Sequence, residues 1–216
     1  MKTLVHKWLP RLLLSAALAL GASAGVAQAH PHVWITANSE VIYAPDGSVT
    51  GVRHAWVFDD MFSTYALQGL QTKTKGVYSR EELAPLAQTN VESLKEFAYF
   101  TFAKADGQKE KFQEPVDYYL EYKDAVLTLH FTLPLQTPVK PKELALEVFD
   151  PTFFIDFKFA DKSPFKLVGA PAACQMRLQR PNDGTASAQK LGEQNFTDPN
   201  SNYGAMFANK FTVDCP

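Results

Sequence analysis

Two predicted β-strands joined by a tight turn constrain the fold of this chain more than any other stretch of its sequence. Apolar residues alternate with polar ones from Val33 to Tyr43, which is the spacing of a strand with one buried face. The segment Pro45-Asp46-Gly47-Ser48 is rich in turn-forming residues, and the run from Val49 to Phe58 predicts a returning strand. We therefore expect a β-hairpin whose second strand, apolar on both faces, is central in a sheet.

The rest of the chain predicts an α+β fold that is mainly antiparallel β-sheet. Residues 63–98 predict a helix-loop-helix insertion, in which Ser79 and Glu82 have the spacing of a capping box and Pro85 lies in the first turn of a helix over residues 86–98. Six further strands are predicted at residues 99–104, 109–112, 116–122, 125–133, 143–149 and 153–160. These patterns indicate a single domain over residues 30–216.

Residues 163–216 predict an irregular, disulfide-tied C-terminal tail. The tail is rich in Pro, Gly, Asn and Gln, with one helix predicted near residues 186–194 and a short strand at residues 211–213. Cys174 and Cys215 are the only cysteines of the chain, and in an oxidising compartment an even pair most simply forms one disulfide. A thiolate metal site is the disfavoured alternative because the C-x-x-C spacing is absent.

The first 29 residues have the three parts of a secretory signal peptide. Lys2, Lys7 and Arg11 precede the apolar run Leu12–Leu20, and Ala27-Gln28-Ala29 matches a cleavage site. The apolar run is too short to anchor the chain in a bilayer. The leader contains 3 of the 21 Lys and Arg residues, so the mature 187 residues carry 18 of them against 23 Asp and Glu. We expect a mildly acidic periplasmic protein that is not membrane-embedded after cleavage and does not bind nucleic acid.

Cleavage after Ala29 would make His30 the first residue of the mature chain, with His32 two positions later. The free amine and the imidazole of an N-terminal histidine can chelate one ion, and imidazole suits zinc, copper and nickel. Pro31 has no amide hydrogen, which excludes the amino-terminal copper/nickel motif that needs a deprotonated amide at the second residue. Two exposed histidines at a frayed terminus are the alternative, and their spacing alone does not decide between the two.

The hairpin brings carboxylates toward this terminus. With the turn near Asp46-Gly47, the numbers of opposed residues sum to about 93. His32 is therefore expected beside Asp59, Asp60 or Met61, at the end of the hairpin that is remote from the turn. Either Asp59 or Asp60 is predicted to complete a metal site with the two histidines.

Asp150 and Asp156 are further candidate ligands. Asp150 precedes Pro151, where an aspartate commonly caps a turn. Asp156 lies within an aromatic strand, so its carboxylate needs a partner if it is buried. That partner is expected to be an ion, an arginine such as Arg53, or backbone N–H groups.

The sequence gives no positive indication of an enzyme. It contains no nucleophile elbow, phosphate loop, HExxH motif or acid/base pair at a fixed spacing. The hairpin register places His54 opposite Ser39, roughly 20 Å from His32, and His130 lies within another predicted strand. We expect both histidines to be structural. A copper enzyme with a histidine brace would need one of them beside the N-terminus.

The opening His30–Ile35, the segment Arg53–Asp59, the segment Asp150–Phe154 and the two late cysteines resemble a family of exported bacterial proteins of unknown biochemical function. Its members are commonly labelled as an uncharacterised periplasmic component of a transport system. The resemblance covers essentially the whole mature chain. It implies handling of a divalent transition metal in the periplasm, because such proteins accompany nickel/cobalt-type exporters and zinc-responsive transport systems.

The family often carries an acidic, calcium-loop-like stretch after the first helix, but here Gln71, Lys73 and Lys75 stand at the ligand positions. We therefore expect a non-enzymatic periplasmic protein that binds zinc, with nickel, cobalt or copper as alternatives, and acts with a membrane transporter or exporter. The alternative is a component that binds an organic solute or a partner protein and has no metal site.

Overall fold

The structure, a computed structural model, describes residues 31–180 and 203–216. Within these two ranges the chain forms eleven β-strands, two α-helices and two 3-10 helices. The strands are β1 Val33–Tyr43, β2 Val49–Phe58, β3 Thr101–Ala105, β4 Gln108–Lys109, β5 Val116–Lys123, β6 Val126–Val139, β7 Glu143–Val148, β8 Ile155–Phe159, β9 Phe165–Val168, β10 Gln175–Gln179 and β11 Asn209–Asp214. The helices are α1 Asp60–Ala66, α2 Arg80–Leu94 and the 3-10 helices Lys95–Phe100 and Tyr203–Phe207.

The strands form two sheets that enclose one hydrophobic core. The first sheet has the order β5-β6-β2-β1-β8, with β9 also paired to β1, and the second has the order β10-β11-β7-β3-β4. Only the pairs that β1 makes with β8 and β9 are parallel among the described strands. The sheets meet through their apolar faces, where the rings of Phe165 and Phe211 have centroids 3.8 Å apart. The predicted α+β fold with mainly antiparallel sheet is confirmed.

The β1–β2 hairpin has the predicted register. Ile35 pairs with Phe58 and Ser39 pairs with His54, so the numbers of opposed residues sum to 93. Burial alternates along β1, with one face in the core and the other partly or fully exposed to solvent. β2 lies between β1 and β6, which confirms that it is a central strand.

The helix-loop-helix insertion connects the first sheet to the second. The predicted capping box is present, because Glu82 N donates to Ser79 Oγ at 3.2 Å and Ser79 N donates to the Glu82 carboxylate at 2.9 Å. This cap begins α2 at Arg80 rather than at residue 86, so Pro85 lies inside the helix and not in its first turn. The helix also ends earlier than predicted, at Leu94.

The tail is more regular than the sequence predicts. β9 joins the first sheet, whereas β10 and β11 join the second, where β11 pairs with both β10 and β7. Phe211 and Val213 are buried, and their alternation explains why β11 is a core strand. The Cys174–Cys215 disulfide is confirmed, and it lies one position beyond the last β10–β11 pair. The predicted signal peptide and the helix at residues 186–194 fall outside the described residues.

His54 connects the two sheets through hydrogen bonds in the core. Its Nδ1 lies 2.8 Å from Ser39 Oγ on β1, and its Nε2 lies 3.2 Å from Thr101 Oγ1 on β3. Because the Thr101 hydroxyl donates its single proton to Tyr99 O, it must accept from His54 Nε2–H. Nδ1 then accepts from Ser39, which defines a neutral imidazole. Burial lowers the pKa of His54 to about 3, in keeping with the predicted structural role.

We predict that His54 makes the fold less stable in mild acid. The folded pKa is depressed to about 3, whereas an unfolded histidine titrates near 6.5, so the unfolded chain binds more protons below that pH. The stability that is present above pH 6.5 is lost as the pH falls toward 3. Urea unfolding at pH 7.5 and pH 5.0 should show a loss about 2 kcal/mol larger in the wild type than in a His54→Phe variant. Equal losses in the two proteins would contradict this role.

Candidate functional site

The first residues of β1 lie at a corner where three segments of the chain meet. On one side, His32 N donates to Phe154 O at 2.9 Å, just before β8 begins. On the other side, Asp59 N donates to Trp34 O at 3.0 Å, just after β2 ends. Asp156 on β8 pairs with Trp34 in the parallel register. We refer to these five residues, His32, Trp34, Asp59, Phe154 and Asp156, as the β1 corner.

Asp59 fixes the first helix to the first strand. Its Oδ1 accepts from Phe62 N at 2.7 Å, which caps α1, and its Oδ2 accepts from Trp34 N at 2.9 Å. The neighbouring Asp60 is exposed, and its carboxylate accepts only from Met61 N among the described side-chain hydrogen bonds. The sequence leaves Asp59 and Asp60 as equal candidates, and the structure brings Asp59 to β1.

His32 presents an imidazole to solvent from a backbone that is held in place. Its side chain is exposed, and its ring lies 4.7 Å from the ring of Phe154, centroid to centroid. Trp34, two residues later and therefore on the same side of β1, is 40% exposed. The hydrogen bond from His32 N to Phe154 O means that the chain is already paired at this residue. This observation argues against a frayed terminus at His32.

Asp156 is the second carboxylate of the corner, with a side chain that is 15% exposed. Burial raises the pKa of Asp156, and the Lys158 ammonium, 3.5 Å from its Oδ2, lowers it by less. Arg53, the arginine suggested as one of three kinds of partner, instead donates to Glu40 Oε2 at 2.8 Å and does not pair with Asp156. Among the described residues, Asp156 forms an ion pair with Lys158, which lies on the same face of the same strand.

Asp150 organises the turn that carries Phe154 into β8. The Asp150 residue is only 4% exposed. Its Oδ1 accepts hydrogen bonds from Thr152 N and Thr152 Oγ1, both at 2.8 Å. Its Oδ2 accepts a hydrogen bond from Ile155 N at 3.0 Å. These three hydrogen bonds give Asp150 the turn-capping role that the sequence favours. We therefore assign its carboxylate to the turn, and its contribution to the β1 corner is to fix where β8 starts.

The other histidines lie in the middle of the first sheet. His54 is buried beneath it, and His130 pairs with Ala55 on the opposite face, where its ring stacks on Tyr119 at 4.4 Å. His130 Nε2 is 3.6 Å from Glu121 Oε2, and burial lowers its pKa. Neither histidine reaches the β1 corner. The structure therefore does not support the alternative of a copper enzyme that recruits one of them.

No three side chains of His, Cys, Asp or Glu come close enough to hold a metal ion within residues 31–180 and 203–216. His30, the other predicted ligand, precedes these ranges. The β1 corner thus offers one exposed imidazole and fixed carboxylates. A metal site here would need a further ligand, which the sequence predicts to be the amine and imidazole of His30.

Sequence reasoning missed the aromatic residues and the lysine of the corner. Trp34 and Phe154 flank His32, and the alternation along β1 already placed Trp34 on its solvent side. Lys158 follows Asp156 by two positions, a spacing that places both side chains on one strand face and could have identified the pair. The pairing of Phe154 with His32 has no such local signal, because it depends on the parallel contact between β1 and β8.

No helix in the described part of the chain is both long enough and apolar enough to cross a bilayer.

The chain matches the profile of the family DUF1007, described as a protein of unknown function, over residues 15–215. It is also similar to an uncharacterised protein of Haemophilus influenzae, with 28% identity over 196 residues, which cover 87% of this chain and 91% of that protein. The predicted membership in a family of unknown function is confirmed. The transport role of that family stays a prediction.

We predict that Asp59 contributes to stability and Asp60 contributes little. An Asp59→Ala variant loses the cap of α1 and the acceptor for Trp34 N, and should lower the free energy of unfolding by about 1–2 kcal/mol. The matched Asp60→Ala variant should change it by less than about 0.5 kcal/mol, since Asp60 is exposed. Urea unfolding at pH 7.5 measures both. An equal effect of the two substitutions would contradict the assignment.

Proposed function

The chain belongs to the DUF1007 family of proteins of unknown function, and from that premise we propose that it is an exported accessory protein that binds a divalent transition metal at the β1 corner. Zinc is the first candidate, with nickel, cobalt or copper as alternatives. The proposed ligands are the amine and imidazole of His30, the imidazole of His32 and the Asp59 carboxylate. The observation that carries the proposal is the exposed imidazole of His32 on a backbone that is paired to Phe154.

The geometry of the β1 corner supports such a site in two ways. The strand fixes the position of His32, and two hydrogen bonds fix the Asp59 carboxylate beside Trp34, so little conformational freedom is lost when an ion binds. Each Asp59 oxygen accepts one hydrogen bond from the described residues and retains a second lone pair for a metal. Asp60 is not included because its carboxylate is exposed on α1, and Asp150 is not included because its hydrogen bonds lie within its own turn.

Two further features support a role beside a membrane transporter. The Cys174–Cys215 disulfide is typical of exported proteins, which meet an oxidising environment. Large apolar side chains are exposed at the corner and on the helix that follows it: Trp34 at 40%, Phe154 at 46%, Met61 at 62% and Tyr65 at 69%. We propose that these side chains form one apolar patch, a feature that is typical of protein contact surfaces. We propose that the transporter component docks beside the metal.

We predict that the mature protein beginning at His30 binds zinc with one high-affinity site in isothermal titration calorimetry. A His30→Ala/His32→Ala variant should lose about a hundredfold or more in zinc affinity. Loss of a group that only hydrogen-bonds to a metal ligand typically lowers metal affinity by about 10–100-fold, and loss of the ligand itself should lower it further. An Asp59→Asn variant should lose less, about tenfold, since it keeps one oxygen for the α1 cap.

Two controls separate this site from adventitious binding. A His130→Ala variant, which removes a half-buried histidine of the first sheet, should bind zinc as the wild type does. A protein with two additional residues before His30 lacks the amine at that position, and should bind markedly less tightly than the mature form. Affinity that is unchanged in the double variant or in the extended protein would refute the proposed ligand set.

A further inference from the structure

A groove of about 800 Å³ lies on the face of the second sheet that points away from the core. Its floor includes Phe102 of β3 and Ala145 of β7, and Phe149 lies beside them. One wall is the 3-10 helix Lys95–Phe100, and the other is the segment from residue 110 to residue 114. This volume is within the range of about 300–1,000 Å³ that is usual for sites of small organic ligands.

The floor of the groove is aromatic. Phe102 and Phe149 have ring centroids 4.8 Å apart and planes inclined at 38°, and both line the open side of the sheet. Phe102 pairs with Glu147 on β7, which places its side chain on the outer face. Phe102 is partly exposed and packs on the buried Phe149, so the pair offers an apolar ligand an aromatic floor.

Uncompensated positive charge lies along one side of this floor. The groove lining contains five lysines and three glutamates, so it carries a net positive charge. Lys95 pairs with Glu114 and Lys210 lies 3.7 Å from Glu147, whereas Lys104, Lys109 and Lys111 form no ion pair within the described residues. Lys104 and Lys109 face each other directly across the β3–β4 hairpin. Like charges opposed in this way are unfavourable without an anion between them.

The wall of the groove has a strained backbone that the core holds in place. Ala98, Tyr99 and Phe100 have φ angles of 51°, 53° and 48°, a left-handed conformation that is disfavoured for residues with a Cβ. Thr101 Oγ1 donates to Tyr99 O at 2.8 Å, and Phe149 N donates to Phe100 O at 3.1 Å. Three successive strained residues that the surrounding structure supports are typical of ligand sites. They give the groove a preformed wall.

The opposite wall is tied to both sheets. Glu110 N donates to Ala103 O at 2.9 Å, and Gln113 N donates to Pro134 O at 2.8 Å. Gln136 N, on β6 of the first sheet, donates to Lys111 O at 2.8 Å. Both walls are therefore fixed before any ligand arrives, which lowers the entropy lost on binding.

From this combination we infer that the groove binds a small amphiphilic organic anion. The apolar body of the ligand would lie on Phe102 and Phe149, and its carboxylate or sulfonate would accept hydrogen bonds from Lys104, Lys109 and Lys111. This site is on the second sheet and uses none of the residues of the β1 corner. It is therefore independent of the proposed metal site and gives the protein a second ligand.

The test uses anilinonaphthalene sulfonate, an aromatic anion that fluoresces when its body enters an apolar site. The mature protein should bind it saturably, with one site per chain. A Lys104→Gln/Lys109→Gln variant should bind about tenfold more weakly, because two charge-assisted hydrogen bonds are lost. The matched Lys75→Gln/Lys123→Gln variant, with the same change in net charge at exposed positions outside the groove, should bind within about twofold of the wild type. Circular dichroism spectra that match the wild type should show that both variants are folded.

A competition experiment defines the chemical class. Decanoate should displace the bound dye, whereas decyltrimethylammonium, with a chain of the same length and a positive head, should not. The inference is overturned if the dye does not saturate, if both lysine variants weaken binding equally, or if the two competitors displace the dye equally well. Zinc titration of the Lys104→Gln/Lys109→Gln variant should match the wild type, which keeps this result separate from that of the metal site.

Discussion

The pairing of β1 along both of its edges is the constraint on which the rest of the structure depends. β1 is antiparallel to β2 on one side and parallel to β8 and β9 on the other, so its backbone hydrogen bonds are used along its length. The pairing holds residues 32–34 against two other segments. Asp150 sets the start of β8, and Asp59 links the start of α1 to Trp34. The position of the β1 corner follows from these contacts and not from the histidines themselves.

The second sheet is held to the first through polar contacts as well as through the apolar core. Ser39, His54 and Thr101 form a buried chain of hydrogen bonds that begins on β1 and ends on β3. The last member, Thr101, also holds the carbonyl of Tyr99 within the strained segment that forms one wall of the groove. The neutral His54 in the core is therefore linked to the wall of the surface groove, because the Thr101 hydroxyl hydrogen-bonds both to His54 and to the Tyr99 carbonyl.

The sequence predicted those features that arise from local chemistry. The hairpin register followed from the turn residues, and it correctly placed His54 opposite Ser39 and carboxylates beside the start of β1. The capping box at Ser79 could be predicted because it depends on a spacing of three residues. The disulfide could be predicted because the chain has two cysteines. The parallel pairing of β8 with β1 and the place of β11 in the second sheet were not predicted, because contacts between distant segments leave no periodic signal in either strand. For the same reason the sequence did not identify the groove, whose walls come from separate segments.

We propose that a mature N-terminus at His30 and the β1 corner together hold a metal ion. Diffraction data collected on both sides of the zinc absorption edge, from crystals of the protein beginning at His30 and grown with zinc, test it most directly. We expect an anomalous peak at the β1 corner, within about 2.1 Å of a ring nitrogen of His32 and of the terminal amine. A zinc peak elsewhere on the protein, or density at the corner without any zinc, would contradict it.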